Sequence, residues 1–210
     1  MLYQGLKLLK YTNNVTSAIF NLHLVMDEFL KKIKLKDHFT VELEVERHLF
    51  VDRLMSVVDP GDTGTLFSAF EALSSSKKEY KGKVSDNGFE IRKRKKLFDM
   101  NMIPAIAKGQ WRQRDNRLII DTEINSFSNF YILFFVVLIV FYGVFFIGLL
   151  SFEDGANRSN MTKVIGLPFL LLHAAFMFGL PYMFMRNSTK RMKYDLTREF
   201  HYLAVATKVS

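Results

Sequence analysis

The chain has 210 residues and no cysteine, which excludes disulfides, thiol chemistry and thiolate metal sites. Its net charge of +8 is unevenly spread: residues 1–127 carry 21 Lys/Arg against 17 Asp/Glu, residues 151–163 two of each, and residues 186–210 six against two. Basic charge that flanks apolar runs fits membrane orientation more economically than nucleic-acid binding, so no nucleic-acid partner is expected.

The first residues lack a basic start followed by a long apolar core, so no cleavable secretory signal is expected. Within residues 1–37, Ile19, Leu22, Met26, Phe29 and Ile33 recur at spacings of three and four, with Lys31, Lys32 and Lys34 beside them. This predicts an amphipathic helix, either packed on the domain, the simpler choice, or lying at a membrane surface. Residues 40–46 alternate strictly, the pattern of a half-buried strand, with Glu42, Glu44 and Glu46 on one solvent-facing side. Residues 48–58 read as a helix through Leu49, Val51, Leu54, Val57 and Val58. His48 and Asp52 can share one face of it, but two ligand-type side chains do not make a metal site. The Pro/Gly-rich stretch 59–64 is a break, and residues 66–73 form a short helix or strand.

The best hairpin signal spans residues 80–97, because Asp86-Asn87-Gly88 suits a tight turn that needs positive φ. A second hairpin is predicted over 107–124, with Arg114, Asp115 and Asn116 at its tip. The expected fold class is α+β: an antiparallel sheet with packing helices over residues 38–126, followed by a transmembrane helical hairpin over 127–187 and a basic amphipathic tail over 188–210, whose Leu196, Phe200 and Leu203 predict a helix returning to the soluble domain or the membrane surface.

The apolar runs 131–150 and 164–185 contain 20 and 22 residues and no charge. At about 1.5 Å per residue each reaches about 30 Å, the hydrocarbon thickness of a bilayer. Two adjacent runs of this length exceed what so small a soluble core could hide. The polar loop 151–163 is short enough to force an antiparallel hairpin. Arg186, Lys190, Arg191 and Lys193 follow the second run, so the positive-inside rule places both chain ends in the cytoplasm and the loop outside. The two glycosylation-type triplets at Asn157 and Asn160 read as ordinary loop residues.

The stretch from Tyr80 to Arg94, then Asn101 to Pro104 and Ile106 to Gly109, resembles a motif of small uncharacterised bacterial membrane proteins. Their pattern joins a "G-x-V…F-x-I-x-R" hairpin, an Asn-containing turn with Pro, an "I-x-G" strand and two membrane helices. The resemblance covers about residues 45–187 and implies an N-terminal α+β cytoplasmic domain in the bacterial inner membrane. It implies no activity. The longer basic run and the Asp99-Met-Asn-Met segment depart from the pattern.

Two groups of residues are candidates for function. Arg92, Lys93, Arg94, Lys95 and Lys96 form either an anionic-lipid contact, together with Arg186, Lys190, Arg191 and Lys193, or a charged edge strand that discourages aggregation. In the second run, Ala175 and Gly179 form a small-xxx-small pair, provisionally packed on the first run at Gly143. His173 then lies about 140° around the helix, on the side of Gly166, where a further subunit would cover it. In the alternative, His173 bonds a backbone carbonyl within the hairpin and the Ala/Gly face is external. There is no P-loop, nucleophile elbow or His-Glu-x-x-His motif, so neither an enzyme nor a cofactor is expected. The leading expectation is a non-enzymatic accessory or regulatory subunit that contacts membrane lipids and assembles with another membrane protein or with itself. The alternative is a ligand-sensing effector whose soluble domain binds a small molecule and whose helices oligomerise.

Overall fold

The computed structural model describes residues 24–64, 78–94, 103–151 and 158–208, with isolated positions 17 and 21. Residues 24–32 form helix α1. It ends in a Schellman cap: the Leu35 N–H donates to the Leu30 carbonyl (2.9 Å) and the Lys34 N–H to the Lys31 carbonyl (3.0 Å). Lys34 supplies the left-handed residue of this cap, with φ of 60°. The buried Leu30 and Leu35 provide its usual apolar contact.

Strand β1 (Lys36–Leu43) follows at once, so the proposed boundary at residue 38 falls inside a strand. Helix α2 (Arg47–Val57) buries Phe50, Val51 and Leu54, so only Val51 and Leu54 of the expected apolar face are buried within it, whereas Leu49 is exposed and Val58 begins the next strand. Next come β2 (Val58–Pro60), β3 (Tyr80–Ser85), β4 (Gly88–Lys93), β5 (Ile106–Arg114) and β6 (Arg117–Asn125). Both predicted hairpins form, with turns at Asp86-Asn87 and Asp115-Asn116. The expectation for residues 66–73 lies outside the described residues.

The six strands run in the order β1-β6-β5-β4-β3-β2. The sheet is mixed, where an antiparallel one was expected: β2 pairs with β3 in parallel. The break at residues 59–64 hides this strand, which Pro60 can join because it lies on the edge and has no N–H to leave unpaired. Gly82 has φ of 157°, and a Cβ there would stand 2.1 Å from the Glu90 carbonyl oxygen. Gly109 leaves room for the Phe89 ring, which lies across its strand where a Cβ would meet it at 2.2 Å.

One face of the sheet carries Val41, Ile91, Ala107, Trp111, Leu118 and Ile120 into the core. Two helices cover it. One is α2; the other is the last third of a single 51-residue helix, α4 (Arg158–Lys208), which contributes Met192, Leu196, Phe200 and Leu203. Phe200 packs edge-on against both Phe50 and Phe89, each at 5.7 Å between ring centres. Of the two expected destinations of the tail, the soluble domain or the membrane surface, it takes the first: it continues the second apolar run and covers the sheet core.

Helix α3 (Asn129–Ser151) and α4 are long and apolar enough to cross a membrane. Only 6% and 0% of their most apolar stretches is buried, unlike the core helix of a soluble protein. They pack antiparallel. Phe135 stacks on Phe178, Tyr142 meets His173, and Leu149 lies over Gly166. The α3 partners recur every seven residues, the spacing of a left-handed two-helix seam.

Candidate functional site

The chain's elements converge where the apolar helices meet the sheet. A second apolar cluster of Leu30, Leu35, Ile103 and Met185, with Ile33, Phe127, Tyr131 and Tyr182 around it, ties α1, the sheet end, α3 and α4 together. Buried polar bonds fix the same point. Thr189 donates to Ser126 Oγ (2.8 Å), and Ser126 donates from both backbone and side chain to the Leu35 carbonyl (3.1 Å each). The Ser188 hydroxyl accepts from the Ala105 N–H (2.9 Å). Each bond joins segments far apart in sequence, so this joint is specified and not merely greasy.

Beside the joint lies a cavity of about 700 Å³ between the end of α1 and the α4 turns just beyond the apolar run. Its lining includes the cations Lys34, Lys36, Arg186, Lys190 and Lys193, one carboxylate, Asp37, and the less polar Tyr182 and Met183. A second, smaller cavity of about 480 Å³ lies on the far side of Lys36, toward Glu123, Phe127 and Tyr131.

Lys36 is nearly buried between Asp27 (2.8 Å) and Glu123 (2.9 Å). Burial opposes its charge, but the two carboxylates outweigh it and push its pKa up. Lys193 bonds Asp37 at 2.9 Å. Lys34, Arg186 and Lys190 have no carboxylate within ion-pair distance among the described residues.

The basic run behaves differently from a lipid contact. Arg92 is 1% exposed and its guanidinium reaches the Gly64 carbonyl (3.5 Å). Arg94 is buried against Asp59 (2.6 Å). Lys93, on the opposite face as strand alternation requires, bonds Asp195 of α4 (2.6 Å) and Glu79 (3.0 Å). Burial works against the Lys93 charge, and these carboxylates more than offset it, so its pKa is raised. These three residues therefore close the domain on itself and do not form the expected lipid contact. Lys95 and Lys96 lie outside the described residues. Arg186, Lys190 and Arg191 are exposed along α4.

The provisional helix phase is also corrected. His173 faces α3 and shares a 2.7 Å hydrogen bond with Tyr142, and Gly166 is the glycine that meets α3, at Leu149. Nothing lies within 4 Å of a Cβ built at Gly143 or Gly179, and Ala175 is exposed. Small residues permit close approach but do not compel it; the aromatic seam of Phe135 and Tyr142 sets the phase instead. The Ala/Gly face is the outer one, and the imidazole finds a side chain rather than a carbonyl.

Sequence reasoning placed Lys34 only beside an amphipathic helix and did not single out Lys36 at all. About 150 residues separate them from Arg186 and Lys190, so only the local density of lysine around 31–36 could have pointed to them. His48 is exposed beside Glu46 (3.4 Å), and no group of three metal-ligating side chains occurs among the described residues.

No family model matches the chain, and neither the curated proteins nor the solved structures contain a match to it.

Proposed function

We propose that this chain is a non-enzymatic accessory or regulatory subunit of a bacterial inner membrane, with both ends in the cytoplasm and the 151–163 segment outside. It assembles with another membrane protein or with itself. The observation that carries this reading is the continuity of α4, which is both an apolar helix fit for the bilayer and the cover of the sheet core. No linker separates the two roles. A displacement of the helix in the membrane is therefore felt by the sheet, which is what a regulatory subunit needs.

Two further features support it. The core of the sheet domain is filled, with Phe50, Leu54, Ile91, Leu118, Ile120 and Phe200 all fully buried, which favours an accessory role over the alternative of a small-molecule sensor. The outer Ala175/Gly179 face of α4 leaves a surface that allows close approach of another helix. Purification in a gentle detergent at native abundance tests the proposal. A complex larger than the 24.5 kDa chain is expected, containing a second membrane protein or further copies. A clean monomer overturns it. The cysteine-free background makes orientation equally testable: an impermeant maleimide should label Ser159→Cys from outside and reach Ser210→Cys only after permeabilisation.

A further inference from the structure

We propose that the cavity between the end of α1 and α4 binds the phosphate of an anionic lipid headgroup, through Lys34, Arg186 and Lys190. This rests on the membrane placement proposed above and adds a defined site to it.

Position is the first argument. The charged turns of α4 begin at Arg186, directly after Met185, where the apolar run ends. The cavity therefore lies at headgroup depth. Its walls follow the same gradient, with Tyr182 and Met183 toward the apolar helix and cations toward the domain. An amphiphile with an anionic head matches both walls, whereas a free phosphate matches only one.

Charge is the second argument. Lys36 and Lys193 are occupied by Asp27, Glu123 and Asp37, while Lys34, Arg186 and Lys190 have no such partner among the described residues. One guanidinium fork and two ammonium groups are the donor set that phosphate oxygens favour. The carbonyls at the end of α1 would repel an anion, but four of them are already engaged. Leu30 and Lys31 accept from the cap, Ile33 accepts from the Tyr182 hydroxyl (3.2 Å), and Leu35 accepts from Ser126.

The third argument is independent of the cavity. Lys34 occupies the left-handed position of a Schellman cap, where glycine is the favoured residue. A lysine there costs backbone strain that glycine would avoid, and its ammonium is one of the three donors of the site.

The test reconstitutes the full chain into phosphatidylcholine vesicles with and without phosphatidylglycerol and counts co-purifying lipid after gentle extraction. Wild type should retain phosphatidylglycerol selectively. Lys34→Gly/Arg186→Gln/Lys190→Gln should lose that selectivity by on the order of 100-fold, from about fivefold per basic residue. Lys83→Gln/Arg47→Gln/Arg114→Gln removes the same charge from exposed sites at the far end of the sheet and should retain it. Lys190→Gln alone provides a milder version that leaves the cap untouched. Insertion of wild type without preference for phosphatidylglycerol overturns the site while leaving the membrane reading intact. Equal loss in both triple variants also overturns it, as does displacement of phosphatidylglycerol by millimolar inorganic phosphate, which would mark a soluble ligand. Failure to insert into either vesicle overturns the membrane reading and the site with it.

Discussion

Phe200→Ala probes whether the end of α4 holds the sheet together. The ring is fully buried and lies 5.7 Å edge-on from both Phe50 and Phe89. Truncating a buried phenylalanine costs about 3–5 kcal/mol from lost burial and the cavity left behind, and part of that sum is the two aromatic contacts. Against a typical domain stability of about 5–15 kcal/mol, a loss of about 4 kcal/mol is severe without abolishing folding. The assay is a urea titration in mild detergent followed by Trp111, the sole tryptophan, which packs on Phe89 at 5.1 Å within the same cluster. With a slope of about 2 kcal/mol per molar, the midpoint should fall by about 2 M. A change below about 1 kcal/mol would mean that the tail does not cover the core, and the account of α4 would be wrong.

Other predictions follow from the same contacts. Tyr142→Phe should weaken the α3–α4 pair by about 1 kcal/mol, within the range of membrane hydrogen bonds. Gly143→Ala and Gly179→Ala, where a new Cβ meets nothing, should change it by less than about 0.5 kcal/mol; a hairpin stability assay by steric trapping compares them. Lys34→Gly should stabilise the protein by about 1 kcal/mol in the urea titration, by relieving a left-handed non-glycine residue. Glu90 is held below its usual pKa of 4.5, first by its hydrogen bond from Thr63 and then by Lys108, against some burial. Its folded-state value is the lower one, so its contribution is complete above the unfolded pKa and lost as pH falls through the folded one. Glu90→Gln should therefore flatten the loss of stability below pH 4.5, and an unchanged acid limb would contradict the assignment.

Much of the fold was legible because its signals are local. Asp86-Asn87-Gly88 specifies a turn wherever it occurs, and the apolar spacing of Leu49 to Val57 specifies a helix. The parallel strand β2 was not legible, because three residues ending in Pro60 resemble a loop until β3 pairs with them. The spacing of Leu196, Phe200 and Leu203 showed an apolar face but did not decide between the soluble domain and the membrane surface as its partner. The basic run misled because the acids that neutralise it, Asp59, Glu79 and Asp195, are distant in sequence or lie across a helix. The helix phase was not legible, because α3 carries several seven-residue rows of large apolar residues, Phe134/Phe141 as well as Phe135/Tyr142, and none of them says which face of α4 meets it. The cavity had no sequence signature, since its two walls are brought together only by the Ser126–Thr189 joint.

The continuity of α4 from bilayer to sheet is tested most directly by a spin-label distance. Nitroxides at Met183→Cys and Tyr202→Cys, both exposed and both beyond Pro181, straddle the point where the apolar run gives way to the core-covering turns. An unbroken helix at about 1.5 Å per residue places the two backbone positions about 28 Å apart. In reconstituted protein a single narrow distribution near that distance is predicted. A broad distribution, or a main component many ångströms shorter, would place a hinge after Met185 and contradict the rigid coupling on which the proposed function depends.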